Sequence, residues 1–285
     1  MYRHLSPLRY PGGKTSLWKY LGSVIEENKI EEAIYIEPFA GGAGAALNLL
    51  VNGYVEKIVL NDLDERIYKF WKAVLNDTDE FIARIISKPL SITEWLRQRE
   101  LLRDKDFVRE GSAIDVGFAS FFLNRCNRSG ILSAGPIGGM KQTGEWKIDA
   151  RFNKTELISR IEKIAQFQKR IEIYNEDGLN FLEEYLRKMN LMKYRVLIYL
   201  DPPYFQKGRD LYKYYMKNDD HENLGNFLKK CTDFRWIISY DDINFIRNIY
   251  KGVKKNQVQM QYSAHKISIG KELLMSSKNC ILPKT

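Results

Sequence analysis

The sequence predicts an open α/β fold: a parallel sheet interrupted by a mostly helical insertion. Three observations carry that expectation. Short, nearly continuous apolar runs recur along the chain, each run ends in a polar or glycine-containing turn, and helix-like stretches separate the runs. Runs of this kind fit strands buried on both faces. Strands alternating with helices place ligands beyond the carboxyl ends of the strands.

The first run, Ala33-Ile34-Tyr35-Ile36, passes into Glu37-Pro38-Phe39-Ala40-Gly41-Gly42, and residues 43–51, rich in Ala and Leu, read as the helix that follows. Lys57-Ile58-Val59-Leu60 is the second run and ends at Asn61-Asp62. A helix over 65–75 comes next, with Asp64 as its N-cap. Ile171-Glu172-Ile173-Tyr174 runs into Asn175-Glu176-Asp177, with an amphipathic helix over 178–189. The fourth run, Val196-Leu197-Ile198-Tyr199-Leu200, stops at Asp201-Pro202-Pro203-Tyr204. A helix over 222–230 leads to the fifth, Trp236-Ile237-Ile238-Ser239, before Tyr240-Asp241-Asp242. The alternation fails between about 76 and 165, where charged helical segments such as 92–103 surround a Gly- and Asn-containing stretch, 124–144. The expected organisation is a core of 1–75 and 166–285 with an inserted subdomain of 76–165.

Size and composition agree with one core carrying an insertion: 285 residues, 44% hydrophobic and 28% charged. The start, Met1-Tyr2-Arg3-His4, lacks the apolar stretch of a secretory signal. No segment approaches the ~18 apolar residues that span a bilayer. A soluble, cytoplasmic protein is expected. Cys126, Cys231 and Cys280 are scattered and read as ordinary reduced thiols, and with only three histidines no metal site is expected. Forty-five Lys and Arg against 36 Asp and Glu give a net charge of +9. That excess favours a polyanionic partner, because neutralised phosphates release condensed counterions.

The glycine turn at 37–44 lets the backbone approach a ligand, and the helix behind it supplies unpaired N–H groups. It is not G-x-G-x-x-G, and a plain packing turn stays open as a reading. Asp62 can accept both hydroxyls of a ribose or cap the next helix. Asp177 can accept from an adenine amino group or simply shape the turn before Gly178. Arg9-Tyr10-Pro11-Gly12-Gly13-Lys14 lacks the pattern of a nucleotide-triphosphate loop.

Asp201-Pro202-Pro203-Tyr204 is the most specific signal. Paired prolines fix φ, remove two donors and end the strand. The acid and the carbonyls then form a rigid row of acceptors beside an aromatic ring. An exocyclic amine on a base is a poor nucleophile, because its lone pair is delocalised into the ring. Asp201 and the Pro202 carbonyl can each accept one N–H, which draws the nitrogen towards a tetrahedral shape. The freed lone pair then attacks a sulfonium methyl in line. Tyr204 can stack on the base, which must leave the duplex to reach the pocket. In this scheme Lys14 suits the methionine carboxylate of S-adenosylmethionine.

These residues, in this order, resemble the Dam-type, class alpha N6-adenine DNA methyltransferases. The matching motifs are R-Y-P-G-G-K at 9–14, E-P-F-A-G-G-A-G at 37–44, N-D-L-D at 61–64, E-D-G at 176–178 and D-P-P-Y at 201–204. The resemblance spans essentially the whole chain. It implies a Rossmann-like S-adenosylmethionine-dependent core with a mostly helical DNA-recognition subdomain inserted. It implies cofactor binding by Tyr10, Lys14, Glu37, Phe39, Ala40, Gly41, Gly44, Asp62, Asp177 and Asp201, and chemistry at Asp201, Pro202, Pro203 and Tyr204. Arg9, Asn124, Arg125, Asn127 and Arg128 become candidates for DNA contact, Arg suiting the guanine edge and Asn the adenine edge, or else loop-stabilising polar residues. The expected partner is double-stranded DNA, with no membrane and no metal. A cognate restriction endonuclease is a partner such enzymes can have, and nothing in this chain bears on it. Pro136-Ile137-Gly138-Gly139-Met140 and Gln142-Thr143-Gly144 depart from the GATC methylators, so that target is not carried over. An RNA adenine is the alternative acceptor, since D-P-P-Y relatives also act on other planar amines.

Overall fold

The computed structural model describes residues 5–10, 13–205, 216–262 and 268–283. Pro11 and Gly12 of the amino-terminal motif lie outside the described residues. The helices are α1 (Trp18–Glu27), α2 (Gly44–Val51), α3 (Glu65–Asn76), α4 (Thr78–Ser87), α5 (Ile92–Arg103), α6 (Lys105–Glu110), α7 (Ala113–Cys126), α8 (Lys154–Ala165), α9 (Gly178–Lys188), α10 (Asn218–Lys230) and α11 (Asn244–Ile249). The strands are β1 (Ile34–Glu37), β2 (Lys57–Asn61), β3 (Ile171–Tyr174), β4 (Val196–Leu200), β5 (Arg235–Asp241), β6 (Lys254–Tyr262) and β7 (Ser268–Ser276).

Among the described residues, seven strands form one sheet in the order β3-β2-β1-β4-β5-β7-β6. The five predicted strands are parallel to one another. β7 runs antiparallel to β5 and β6. β1 and β4 are buried throughout, as continuous apolar runs require. Their residues pack with Phe181 and Leu182 of α9, Leu224 of α10 and Tyr250 in one apolar core. From β1 the chain steps outward through β2 to β3, then resumes at β4 on the other side of β1. That reversal makes the carboxyl ends of β1 and β4 the switch point where open sheets bind ligands. Ile36 pairs with Ile198, so Glu37 at the end of β1 and Asp201 just past β4 arrive together.

The chain separates into two compact units. Lys14–Leu63 and Arg170–Thr285 make the sheet unit, with α1, α2, α9, α10 and α11. Met1–Gly13 and Asp64–Lys169 make the helical unit, with α3 to α8. The helical unit thus begins at Asp64 rather than at 76 and takes in the amino-terminal segment. The physical reason is α3. Phe70 stacks on Phe121 of α7, centroids 5.9 Å apart. A Cβ at Gly117 would lie 2.6 Å from the Lys69 carbonyl oxygen, so α3 and α7 touch backbone to backbone. Buried Lys69 donates to the carbonyls of Val108, Arg109 and Gly111, at 2.6, 2.8 and 3.0 Å, closing the carboxyl end of α6. Asp64 caps α3 as predicted, accepting the Arg66 N–H. No helix among the described residues is long and apolar enough to cross a membrane.

Candidate active site

Strand geometry delivers the polar groups of the sheet unit to one end. The turn after β1 is tight: Ala40 N–H reaches the Asn61 carbonyl (2.9 Å) and Ala43 N–H the Ala40 carbonyl (2.7 Å). Gly41 and Ala43 both adopt positive φ, 46° and 48°. A Cβ at Gly44 would fall 2.1 Å from Thr15 Oγ1, so any side chain there would force Thr15 to shift. Asp62 accepts the Gly41 N–H at 2.8 Å. The alternative open for Asp62, capping α3, falls to Asp64 instead.

Asn61 ties the loops after β1 and β3 together. Its amide donates to the carbonyls of Pro38 (2.9 Å) and Glu176 (3.0 Å), and its oxygen accepts the Glu176 N–H (3.0 Å). Gly178 explains the glycine of the E-D-G motif: a Cβ there would lie 2.6 Å from the Phe39 ring. Asp177 itself is exposed, and its Oδ1 caps α9 by accepting the N–H groups of Leu179 and Asn180.

Beyond β4 the site becomes ionic. Lys14 Nζ lies 3.0 Å from each carboxylate oxygen of Asp201 and 3.5 Å from Glu272 Oε1. The sequence offers Lys14 to a cofactor carboxylate, and the structure instead gives its ammonium two carboxylates of the chain itself. Ser239 Oγ donates to Asp201 Oδ1 (2.8 Å) and lies 2.9 Å from the Tyr199 hydroxyl. Tyr204 donates its hydroxyl to Glu272 Oε1 at 2.5 Å, and Lys14 Nζ sits 4.8 Å from the centre of the Tyr204 ring. Pro202 is buried, while Pro203 and Tyr204 are half-buried. Behind them, Phe205 packs on Phe245 (4.6 Å) and on His221 (5.7 Å). His221 Nδ1 is 2.7 Å from the Tyr240 hydroxyl, and burial depresses the imidazole to about 4. The Glu37 carboxyl is pushed up to about 8, chiefly by burial and further by Asp201, against the Tyr35 hydroxyl that donates to it at 2.9 Å.

Glu272 and Ser239 escape a motif reading, and the N-D-L-D motif gives its first residue, Asn61, no role of its own. Glu272 sits inside Lys271-Glu272-Leu273-Leu274, with no turn to mark a strand end. Ser239 and Asn61 do stand at strand ends, and that position was the available signal.

In the helical unit the predicted DNA contacts divide. Asn124 is buried: its oxygen accepts the Arg9 N–H (2.7 Å) and its amide donates to the carbonyls of Arg9 (2.7 Å) and Gly130 (2.8 Å). Asn127, also buried, accepts from Trp95 Nε1 (2.6 Å) and donates to the carbonyls of Ile131 (2.9 Å) and Leu132 (3.0 Å). Both amides therefore satisfy the backbone where α7 ends, and a base edge would find them already engaged. Arg9 donates to the Asn127 carbonyl (2.9 Å) and Arg125 to that of Arg151. The Arg125 guanidinium is held down to about 9 by burial, then by the like charges of Arg9 and Arg160. Arg128 is exposed. Tyr10 is half-buried, its carbonyl accepting the Gly13 N–H (3.1 Å).

The sheet, parallel from β1 to β5, carries a glycine turn after β1, an acid after β2 and Asp-Pro-Pro-Tyr after β4, the strand-end pattern of a group-transfer enzyme. The chain belongs to the D12 class N6 adenine-specific DNA methyltransferase family, whose model matches residues 10–264. It methylates adenine N6 in DNA, and that membership does not favour the RNA alternative. Among curated relatives, the type II methyltransferase M.MjaIII of Methanocaldococcus jannaschii is 26% identical over 273 residues, 88% of this chain and 89% of the relative. The type II methyltransferase M.CviBI of Paramecium bursaria Chlorella virus NC1A is 23% identical, covering 93% of this chain and 95% of the relative. A DNA adenine methylase of Haemophilus influenzae is 22% identical, covering 92% and 88%.

Proposed function

We propose that the enzyme takes its methyl group from S-adenosylmethionine and acts on an adenine flipped out of duplex DNA, with Asp201 as the acceptor that shapes the amine. The observation that carries this reading is the placement of Asp201 at the switch point, its carboxylate fixed by Lys14 and Ser239. The strand-end residues fit the cofactor. Gly41 turns the backbone at positive φ, Phe39 offers an aromatic face, and Asp62 and Asp177 offer acceptors to sugar and base. Once bound, that cofactor supplies an electrophilic methyl group, so the protein needs no nucleophile of its own.

Asp201 accepts one N–H of the target amine and the Pro202 carbonyl the other, while Tyr204 stacks on the base. Holding the carboxylate in place beforehand supplies orientation without reorganisation during the reaction. Arg9, Arg125 and Arg128 are proposed to meet DNA phosphates. Burial is the main cause of the lowered Arg125 pKa, with the like charges of Arg9 and Arg160 behind it, and an arriving anion would relieve that second part. The net charge of +9 acts in the same direction.

The test is transfer of tritiated methyl from S-adenosylmethionine to unmethylated duplex DNA, followed by nucleoside analysis. Label in N6-methyladenine is expected for the wild type and none for Asp201→Ala. Near-normal turnover by Asp201→Ala would remove it from the chemistry. Label confined to single-stranded DNA would reject the duplex reading.

A further inference from the structure

Glu272 is the one carboxylate in this cluster that comes from an antiparallel strand. It lies on β7, opposite Asp241 of β5, and is 0% exposed. A buried carboxylate needs partners. Two of those it has are residues the reaction uses: the Tyr204 hydroxyl at 2.5 Å, and Lys14, which it shares with Asp201. Lys14 Nζ also lies over the Tyr204 ring.

We propose that Glu272 is a positioning residue for methyl transfer. It fixes the Tyr204 ring through its hydroxyl and shares the Lys14 ammonium with Asp201. A tyrosine on a loop after two prolines has a free χ1 and χ2, and a stacking face is useful only at one angle to the acceptor pair. The hydroxyl bond supplies that angle at the distal end of the ring, where a small rotation would produce the largest displacement. A carboxylate is suited to this job because it also balances the ammonium beneath the ring, and a neutral acceptor would not. Tyr204 thereby becomes part of a rigid frame with Lys14 and Asp201, and the base finds its stacking surface already oriented.

This inference rests on reading Tyr204 as the surface under the target base. Glu272→Gln, Tyr204→Phe and the double variant are compared in single-turnover transfer to unmethylated duplex DNA. Tyrosine ring-carbon NMR runs in parallel, with the Tyr204 signal identified by its loss in Tyr204→Phe. Glu272→Gln is expected to slow transfer about tenfold and to shift the Tyr204 signal. The double variant should be no slower than the slower single, because both changes cut the same link. Wild-type turnover in Glu272→Gln, multiplying effects in the double variant, or an unmoved Tyr204 signal overturns the proposal. Should Glu272→Gln fail to fold, Glu272→Asp must show the same lack of additivity with Tyr204→Phe. If the wild type labels no DNA adenine, the catalytic reading fails, while the NMR signal still decides whether Glu272 holds Tyr204.

Discussion

Ser239 donates its hydroxyl to Asp201 at 2.8 Å, and the Tyr199 hydroxyl stands 2.9 Å behind it. A line of hydroxyls from inside the sheet thus sets the angle of the acceptor carboxylate. Ser239→Ala should lower kcat roughly tenfold with little change in KM, the size expected for one hydrogen bond to a charged group. Tyr199→Phe should do less, being one bond further away. Steady-state kinetics on both variants check this, and an unchanged kcat in Ser239→Ala leaves Lys14 as the sole anchor of that pair.

Glu37 gives a stability prediction whose sign is fixed. Its folded value, about 8, lies above its unfolded value of about 4.5, so the folded state binds the proton more tightly. Its contribution is fully present below about 4.5 and is lost as pH rises towards 8. One proton gives a slope of up to about 1.4 kcal/mol per pH unit in that window. Glu37→Gln, neutral at every pH, should remove this slope. Denaturant unfolding of both proteins between pH 5 and 8 measures the difference, and parallel curves would mean Glu37 is ionised in the folded state.

Gly178→Ala tests the seat of Phe39. The added carbon would fall 2.6 Å from the ring, so the ring must move. The expected result is a stability loss of about 1–3 kcal/mol together with weaker S-adenosylmethionine binding by calorimetry. Unchanged affinity would show that the Phe39 face is not used by the cofactor.

Asn127 and Arg128 are neighbours with opposite predicted behaviour. Asn127→Ala strands the buried Trp95 N–H, leaves two part-buried carbonyls without their donor, and should cost about 1–3 kcal/mol of stability. Arg128→Ala, at an exposed position, should leave stability within about 0.5 kcal/mol. It should also weaken DNA binding at every sequence and lower the salt slope by about one. Thermal melts and binding titrations at several salt concentrations separate the two. A salt slope equal to that of the wild type removes Arg128 from the phosphate contacts.

The five parallel strands were legible because burial on both faces writes itself as an apolar run. β6 and β7 were not. Lys254-Lys255-Asn256-Gln257 opens β6 with polar residues, and the alternation of Val258-Gln259-Met260-Gln261-Tyr262 does not register among continuous apolar runs. Glu272 went with them, since a carboxylate inside an unrecognised strand has no reason to be noticed. The motif acids and glycines were visible as chemistry, yet the pairing of Lys14 with Asp201 depends on sheet order, which local patterns do not encode. Asn124 and Asn127, open to both base contact and loop support, were undecided in the sequence for a related reason. Beside glycines they look like solvent-facing loop residues, but Phe121-Phe122-Leu123 just before them belongs to a helix buried almost all round. Polar side chains at the end of such a helix serve its unpaired backbone.

Lys14 and Glu272 stand near opposite ends of the sequence, and both converge on Asp201 and Tyr204. A nascent polypeptide still lacking β7 therefore holds a complete D-P-P-Y motif with half its scaffold missing. If Glu272 has the role proposed for it, translation must pass β7 before methylation can begin, and a product stopped short of that strand should be silent on the genome even if it still grips DNA.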